Sequence, residues 1–243
     1  MLKQISSGIP GLDEVLNGGI PKGRNILLSG PAGSGKTIFG AQFLREGVKK
    51  GEAGLFVTFE ESKKKLKEDL KVLGIDLERL ERTGRFQLIG GPVSRISFYK
   101  ERAKAKIRDI VGEIQEVAEE LGAERVVIDS LNLFTMLFSN LPEKRMALAE
   151  LCSALSDLSC TSILTCEVPE DSRGLSWYGF EEFVVDGVIR LVRKSIGNLF
   201  IRAIAVPKMR GISHSHFIYA MKIEKDGIKV YPTESLGREF EVL

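Results

Sequence analysis

Gly30-Pro31-Ala32-Gly33-Ser34-Gly35-Lys36-Thr37 fits G-x-x-x-x-G-K-[ST], the phosphate-binding loop, and the rest of the chain can be read outward from it. The apolar run Asn25–Leu28 before it reads as a buried strand. Behind it, Phe39, Phe43 and Val48 recur at helical spacing over residues 36–50 and stop at Gly51, a suitable residue just past a helix end. Strand, glycine loop and helix are the context that gives the motif its chemistry. Glycines let the backbone curl, so that consecutive N–H groups and the positive helix end converge on an anionic phosphate. In that geometry Lys36 reaches the β- and γ-phosphates and the Thr37 hydroxyl takes a Mg²⁺ ligand position. A glycine-rich turn followed by a chance lysine is the competing reading, and both flanks argue against it.

Further along, strand-like and helix-like segments alternate. Gly54–Phe59 is a second buried strand running into Glu60-Glu61, and Ser62 caps a helix carrying Leu66, Leu70 and Leu73 before Gly74. Phe86–Ile89 is a third strand. Residues 98–121 carry Ile107, Ile110, Val111, Ile114, Val117, Ala118 and Leu121 in the pattern of an amphipathic helix, ended by Gly122. Arg125-Val-Val-Ile-Asp129-Ser130 is an apolar strand leading into a carboxylate, the form of a Mg²⁺-holding Walker B strand. Leu148, Leu151, Leu155 and Leu158 share a helical face, and Ser162–Glu167 is a fifth strand. This alternation predicts an α/β fold with a mostly parallel central sheet and ligand at the strand carboxyl ends. From residue 184 onward Val188–Val192, Leu199–Val206, Phe217–Glu224 and Ile228–Tyr231 read as strands joined by short turns. Gly197-Asn198 and Asp226-Gly227 are the turn dipeptides, and these strands predict an antiparallel extension of the same sheet. No repeat, low-complexity tract or linker divides residues 1–243, so one domain is expected.

Composition narrows the class. Hydrophobic content of 43% and charged content of 28% suit a soluble globular chain, and a net charge of +2 by itself gives no argument for nucleic acid. Cys152, Cys160 and Cys166 sit in apolar segments without a C-x-x-C pair, which reads as reduced thiols rather than a disulfide or metal site. The N-terminus lacks an apolar signal region, and no apolar run approaches the roughly 18–20 residues of a membrane helix. The expected location is the cytoplasm, away from membranes.

Together, these residues resemble the KaiC domain of the RecA-like ATPases. The likeness rests on Ser7–Asp13, Leu12–Leu16 with Gly18–Pro21, the Gly30–Thr37 loop, Thr58–Glu61, Val127–Ser130, Tyr178–Phe183 and Lys208–His214. It implies ATP and Mg²⁺ as cofactors and a homo-oligomeric ring, a hexamer, with active sites between subunits. By the resemblance, Glu60 is the catalytic carboxylate of the Glu60-Glu61 pair. Strand alternation alone says only that one of the two can face a given site. Gly30, Pro31, Ala32, Gly33, Ser34, Gly35, Lys36 and Thr37 hold the nucleotide, while Thr37 holds the metal directly and Asp129 holds it through water. Lys208 and Arg210, two apart on an expected strand and hence on one side of it, reach the neighbouring subunit's nucleotide, and His214 contacts nucleotide or interface. From spacing alone, the last three would be an exposed basic hairpin edge.

The sequence departs from the clock members of that family. They carry two domains in tandem, and the adjacent Ser-Thr of the autophosphorylating one is replaced here by Glu182-Phe183, so neither self-kinase activity nor a circadian role follows. The resulting expectation is a P-loop ATPase with a regulatory task and an unnamed protein partner. A DNA motor ranks second. Its DNA-facing loops would be 133–145, with Lys144 and Arg145, and 167–183, where Glu167, Glu170, Asp171, Glu181 and Glu182 outnumber Arg173 and oppose phosphate binding. An ATP-occupancy switch with negligible hydrolysis is the third reading.

Overall fold

A computed structural model describes residues 2–91, 107–170, 172–196 and 198–236. Nine strands form one sheet, in the order β11-β10-β9-β8-β3-β7-β6-β4-β5, and β1 (Gln4–Ile5) pairs separately with β2 (Ile20–Pro21). Six neighbouring strands are mutually parallel. They are β8 (Gly187–Ile196), β3 (Asn25–Gly30), β7 (Thr161–Glu167), β6 (Ala123–Asp129), β4 (Ala53–Thr58) and β5 (Phe86–Gly90). Next come β9 (Leu199–Met209), β10 (Tyr219–Glu224) and β11 (Gly227–Ser235), each antiparallel to its neighbour, as the expected extension requires; of the Gly197-Asn198 turn, Gly197 lies outside the described residues. The tight loop between β10 and β11 is Lys225-Asp226 rather than Asp226-Gly227, because Gly227 already pairs with Glu224.

Alternation along the strands builds two cores. On one face, Ile26, Leu28, Phe56 and Val127 pack with Phe39, Phe43 and Leu44 of α2 (Lys36–Lys49). On the other, Leu27, Leu55, Val57, Val126 and Ile128 pack with α5 (Ile107–Leu121) and α7 (Leu141–Asp157). A strand apolar on both sides, such as β3, is what a parallel sheet covered on both faces requires. The remaining helices are α1 (Leu12–Val15), α3 (Lys63–Val72), α4 (Leu77–Glu81), α6 (Leu131–Met136) and α8 (Glu181–Val184).

Helix ends follow their local chemistry. Ser62 accepts the Lys65 N–H as the cap of α3, and Gly51 takes φ +85° directly after the C-cap Lys50 of α2. The expected helix over 98–121 is present from Ile107, its first part lying outside the described residues. Among the described residues no helix is long and apolar enough to cross a membrane. The three cysteines are buried thiols, with Cys152 and Cys166 pushed up to about 12 by burial.

The order of the sheet carries functional weight. β7 lies between the loop strand β3 and the Asp129 strand β6, so the two halves of the phosphate site meet across an intervening strand.

Candidate active site

The site sits at the carboxyl ends of β3, β4, β6 and β7. At the end of β3 the chain turns through Gly33 (φ +70°) and Gly35 (φ +105°), conformations that favour glycine, and enters α2 at Lys36. Lys36 is 8% exposed, and its ammonium donates to the Gly30 and Pro31 carbonyls at 2.9 Å each. Burial lowers its pKa, opposed by the nearby charges of Glu167, Asp129 and Glu60, in that order. The Ser29 and Ser34 hydroxyls are buried without a hydrogen-bond partner. Buried hydroxyls without a protein partner beside a buried ammonium are groups that an anion can satisfy.

Asp129, 3% exposed, ends β6. Its Oδ2 accepts from the Thr37 hydroxyl at 2.8 Å and its Oδ1 from the Thr165 hydroxyl at 2.5 Å. Thr165 is on β7, the strand between the two motifs, which is how Asp129 is fixed from two sides. Desolvation pushes the Asp129 carboxyl above its ordinary pKa, while the two hydroxyls and Lys36 act the other way. The Thr37 hydroxyl and the Asp129 carboxylate, joined at 2.8 Å, are hard oxygen donors of the kind Mg²⁺ takes, Thr37 as a direct ligand and Asp129 through a water. The residues present therefore fit the metal that the motif implies.

The adjacent carboxylates separate clearly. The Thr58 hydroxyl accepts both the Glu60 and Glu61 N–H groups, fixing the turn after β4. Glu61 then pairs with Lys65 at 3.0 Å on α3. Glu60 instead lies exposed at the mouth of the site, and its carboxyl pKa is raised, first by partial desolvation of the carboxyl and also by the nearby Asp129. The Ser130 hydroxyl falls short of full hydrogen-bond geometry with any group, yet it is near enough to Glu60 to favour the charged form.

Arg193 and Arg202 are site residues that the motif reading missed. They face each other across β8 and β9 and donate to the Ala32 and Gly33 carbonyls on the outer side of the loop, at 3.3–3.4 Å. Two arginines directly opposite would repel. Here each has a loop carbonyl, and Arg193 also lies 4.3 Å over the Phe200 ring and 3.7 Å from Glu170. No local pattern announces such a pair; it exists only once the strands are in register.

Lys208 and Arg210 lie elsewhere. Lys208 pairs with Val188, which pairs with Leu27, and the Arg210 N–H donates to Asp186, the residue whose own N–H bonds Asn25. Arg210 is thus level with Asn25 at the amino end of β3 and Lys208 with Leu27 in its middle, while the phosphate loop is at its carboxyl end. Five residues of strand separate Arg210 from Gly30, about 17 Å along the strand alone. Arg210 lies past the end of β9, in a turn, so strand alternation does not place it on the same side as Lys208; it is exposed and Lys208 is half-buried. The Lys208 ammonium donates to the Glu182 and Val185 carbonyls at 2.7 Å each, and its pKa is lowered, first by burial and then by Arg210. The His214 ring contacts the Ser215 carbonyl and stacks edgewise on His216. The stretch 133–145, expected as a loop, is mostly helix, the end of α6 and the start of α7, and the Lys144 ammonium is held by the Thr135 and Phe138 carbonyls.

Comparison with known proteins agrees with this fold. The profile described as "ATPase: KaiC" matches residues 5–235. A UPF0273 protein of Thermotoga maritima is 37% identical over 241 residues, covering 96% of this chain and 98% of that protein. The circadian clock protein KaiC3 of Synechocystis is 33% identical over 98% of this chain, which corresponds to 47% of its own length. The crystal structure of a KaiC-like protein from Pyrococcus horikoshii superposes with a TM-score of 0.84 at 34% identity, covering 96% of this chain and 100% of that one. The phosphate loop, the Asp129 strand and the antiparallel C-terminal extension are those of a nucleotide-binding ATPase module, and the chain belongs to the KaiC family.

Proposed function

We propose that the protein hydrolyses ATP at sites completed by a neighbouring copy of the same chain in a ring, for a regulatory purpose. One observation carries this reading. The phosphate loop with Glu60 and Asp129 is at the carboxyl end of the sheet, whereas Arg210 is at its amino end and the Lys208 ammonium is held on the Glu182 and Val185 carbonyls, so neither cation is at its own loop. Phosphoryl transfer is catalysed chiefly by positioning and charge neutralisation, so a site lacking its transition-state cations is slow until a second copy supplies them. Apolar side chains stand exposed at both ends as well. Leu199 (69%) and Phe200 (60%) are on the β8–β9 hairpin beyond the loop, and Phe183 (67%) is on the helix that holds Lys208. Different patches at opposite ends suit a head-to-tail contact, which closes into a ring when the rotation allows.

In this reading Lys36 leaves the Gly30 and Pro31 carbonyls for the β- and γ-phosphates. The loop N–H groups and the start of α2 hold the phosphate chain. Thr37 and Asp129 would hold Mg²⁺, which supplies neutralisation of the terminal phosphates. Glu60, its basicity raised by partial desolvation, orients the attacking water and takes its proton. Arg193 and Arg202 keep the loop in its binding shape from outside. The DNA-motor reading loses ground, since Lys144, one of its two cations in the 133–145 stretch, is occupied by backbone carbonyls.

The test is phosphate release measured together with particle mass, with and without Mg²⁺-ATP. A ring-sized particle with turnover that depends on protein concentration is expected. A monomer with full turnover contradicts the interface site, and binding without turnover favours an occupancy switch.

A further inference from the structure

The segments Ser7–Asp13 and Gly18–Pro21 take no part in the chemistry above, yet they fold into one tied unit. The Gln4 amide donates to the Leu16 and Gly19 carbonyls at 3.1 and 3.0 Å, and the Ser7 N–H donates to the Asp13 carboxylate at 2.8 Å. Leu12, Val15, Leu16 and Ile20, each at most 2% exposed, seat the unit on the core. α1 ends in the paired bonds of a Schellman turn. The Gly18 N–H donates to the Asp13 carbonyl at 2.8 Å and the Asn17 N–H to the Glu14 carbonyl at 3.0 Å. Asn17 holds the left-handed position of that turn, at φ +50°, where glycine carries no penalty. A helix stop alone asks for no side chain there.

The Asn17 side chain reaches into the stretch that carries Arg210. Its Nδ2 donates to the Ser213 carbonyl and to the Ser213 hydroxyl, at 3.3 Å each. The Val15 carbonyl accepts the Ser215 N–H at 3.0 Å. The Leu2 side chain lies against Gly211, so close that a Cβ there would fall 2.2 Å from its Cδ1. Residues 210–218, between β9 and β10, belong to no strand, so no ladder holds them. Their shape rests on these contacts, on the Arg210 N–H bonded to Asp186, and on Ile212 packed against the core.

We propose that Asn17 is a positioning residue for the neighbouring copy's site. Through it the N-terminal unit holds the 210–214 turn, and with it Arg210, in the orientation that meets the other nucleotide. This rests on the interface reading above. Asn17 acts through Ser213, three residues from the cation. An arginine presented from irregular backbone points where that backbone is held, so loosening the turn weakens neutralisation of the transferring phosphoryl group. The effect falls on the neighbour's site and not on the phosphate loop of the same chain.

The test uses the full chain carrying Asn17→Gly, which keeps the left-handed backbone and the helix stop and removes only the amide. ATP affinity by calorimetry should be unchanged, while phosphate release at saturating ATP falls by about 3–10-fold, the worth of two exposed hydrogen bonds. The variant is then mixed in equal amounts with Lys36→Ala under subunit exchange. Lys36→Ala brings an intact Asn17 and Arg210 turn to the intact loop of Asn17→Gly. The mixture should therefore exceed the two proteins assayed apart by about 2–5-fold, as a head-to-tail ring requires. A defect confined to the variant's own fold travels with its own loop and gives no gain. Unchanged turnover of Asn17→Gly, or weakened ATP binding, overturns the proposal. A mixture of Lys36→Ala with Arg210→Ala, run beside it, separates the two claims. Recovery there without a gain for Asn17→Gly overturns this proposal alone, and no recovery in either mixture overturns the interface reading and this proposal with it.

Discussion

Asp129→Asn should make the nucleotide-free protein more stable and the Mg²⁺-ATP-bound protein less so. Asp129 is a carboxylate with 3% of its surface exposed and two hydroxyl donors, and burial pushes its pKa up. Asparagine fits the same contacts. Its Oδ1 can accept from Thr165 and its amide can donate to the Thr37 oxygen, while the hydroxyl proton of the half-buried Thr37 turns to solvent. The change then removes the desolvation cost of an ion, several kcal/mol, and trades two charge-assisted hydrogen bonds for ordinary ones, at about 1 kcal/mol each. A net gain of about 1–2 kcal/mol follows, which for a chain of this size raises Tm by about 2–8 °C. Ligand linkage runs the other way. At a hundred times Kd, Mg²⁺-ATP should stabilise the unmodified protein by about 2.7 kcal/mol and the variant hardly at all.

A carboxyl whose folded pKa is raised contributes stability that is fully present below its unfolded value and is lost as pH rises through the folded one. The ligand-free protein should therefore lose stability as pH climbs through that interval, and the Asn variant should lack this contribution. Thermal melts of both proteins with and without Mg²⁺-ATP test the argument. A lower Tm for the ligand-free variant, or an equal Mg²⁺-ATP shift in both proteins, refutes it.

Three further outcomes follow. Glu60→Gln should leave ATP binding intact and cut phosphate release by a factor of about 100 or more. Because partial desolvation raises the Glu60 pKa above 4.5, the activity of the unmodified protein should fall on acidification at a pH above that value, while Glu61→Gln should do little. Lys36→Ala should abolish ATP binding measured by calorimetry; unchanged affinity would sink the phosphate-loop assignment. Arg125 is fully buried, paired with Glu52 at 2.5 Å, bonded to the Ser6 and Phe43 carbonyls at 2.9 Å and stacked on the Phe43 ring. Arg125→Ala should cost about 3–5 kcal/mol in chemical denaturation, and a loss below about 1 kcal/mol would show that the network is not a stabilising one.

What could be read from sequence was local. The phosphate loop, the Ser62 cap, the glycine ends of α2 and α5 and the apolar run into Asp129 each specify their own backbone within a few residues, and the structure places them accordingly. The sheet order is not local. That β7 lies between β3 and β6, bringing Thr165 onto Asp129 and Glu167 beside Gly30, depends on which strands pair. Arg193 and Arg202 meet the loop only through the β8–β9 register, so nothing in either residue's neighbourhood marks it. Strand alternation failed at Arg210 because β9 ends one residue earlier, and no spacing rule reveals that α8 carbonyls hold Lys208. The same register, once known, sharpens the expectation taken from the family likeness, since it removes Lys208 and Arg210 from their own nucleotide.

The most direct measurement mixes two inactive proteins, Lys36→Ala and Arg210→Ala, under conditions of demonstrated subunit exchange and follows phosphate release. In a ring with head-to-tail sites, random mixing at equal amounts leaves about a quarter of the interfaces with an intact loop on one side and an intact cation on the other. The mixture should regain about a quarter of the unmodified rate. No recovery despite exchange, or full activity of Arg210→Ala alone, would contradict an active site shared between copies.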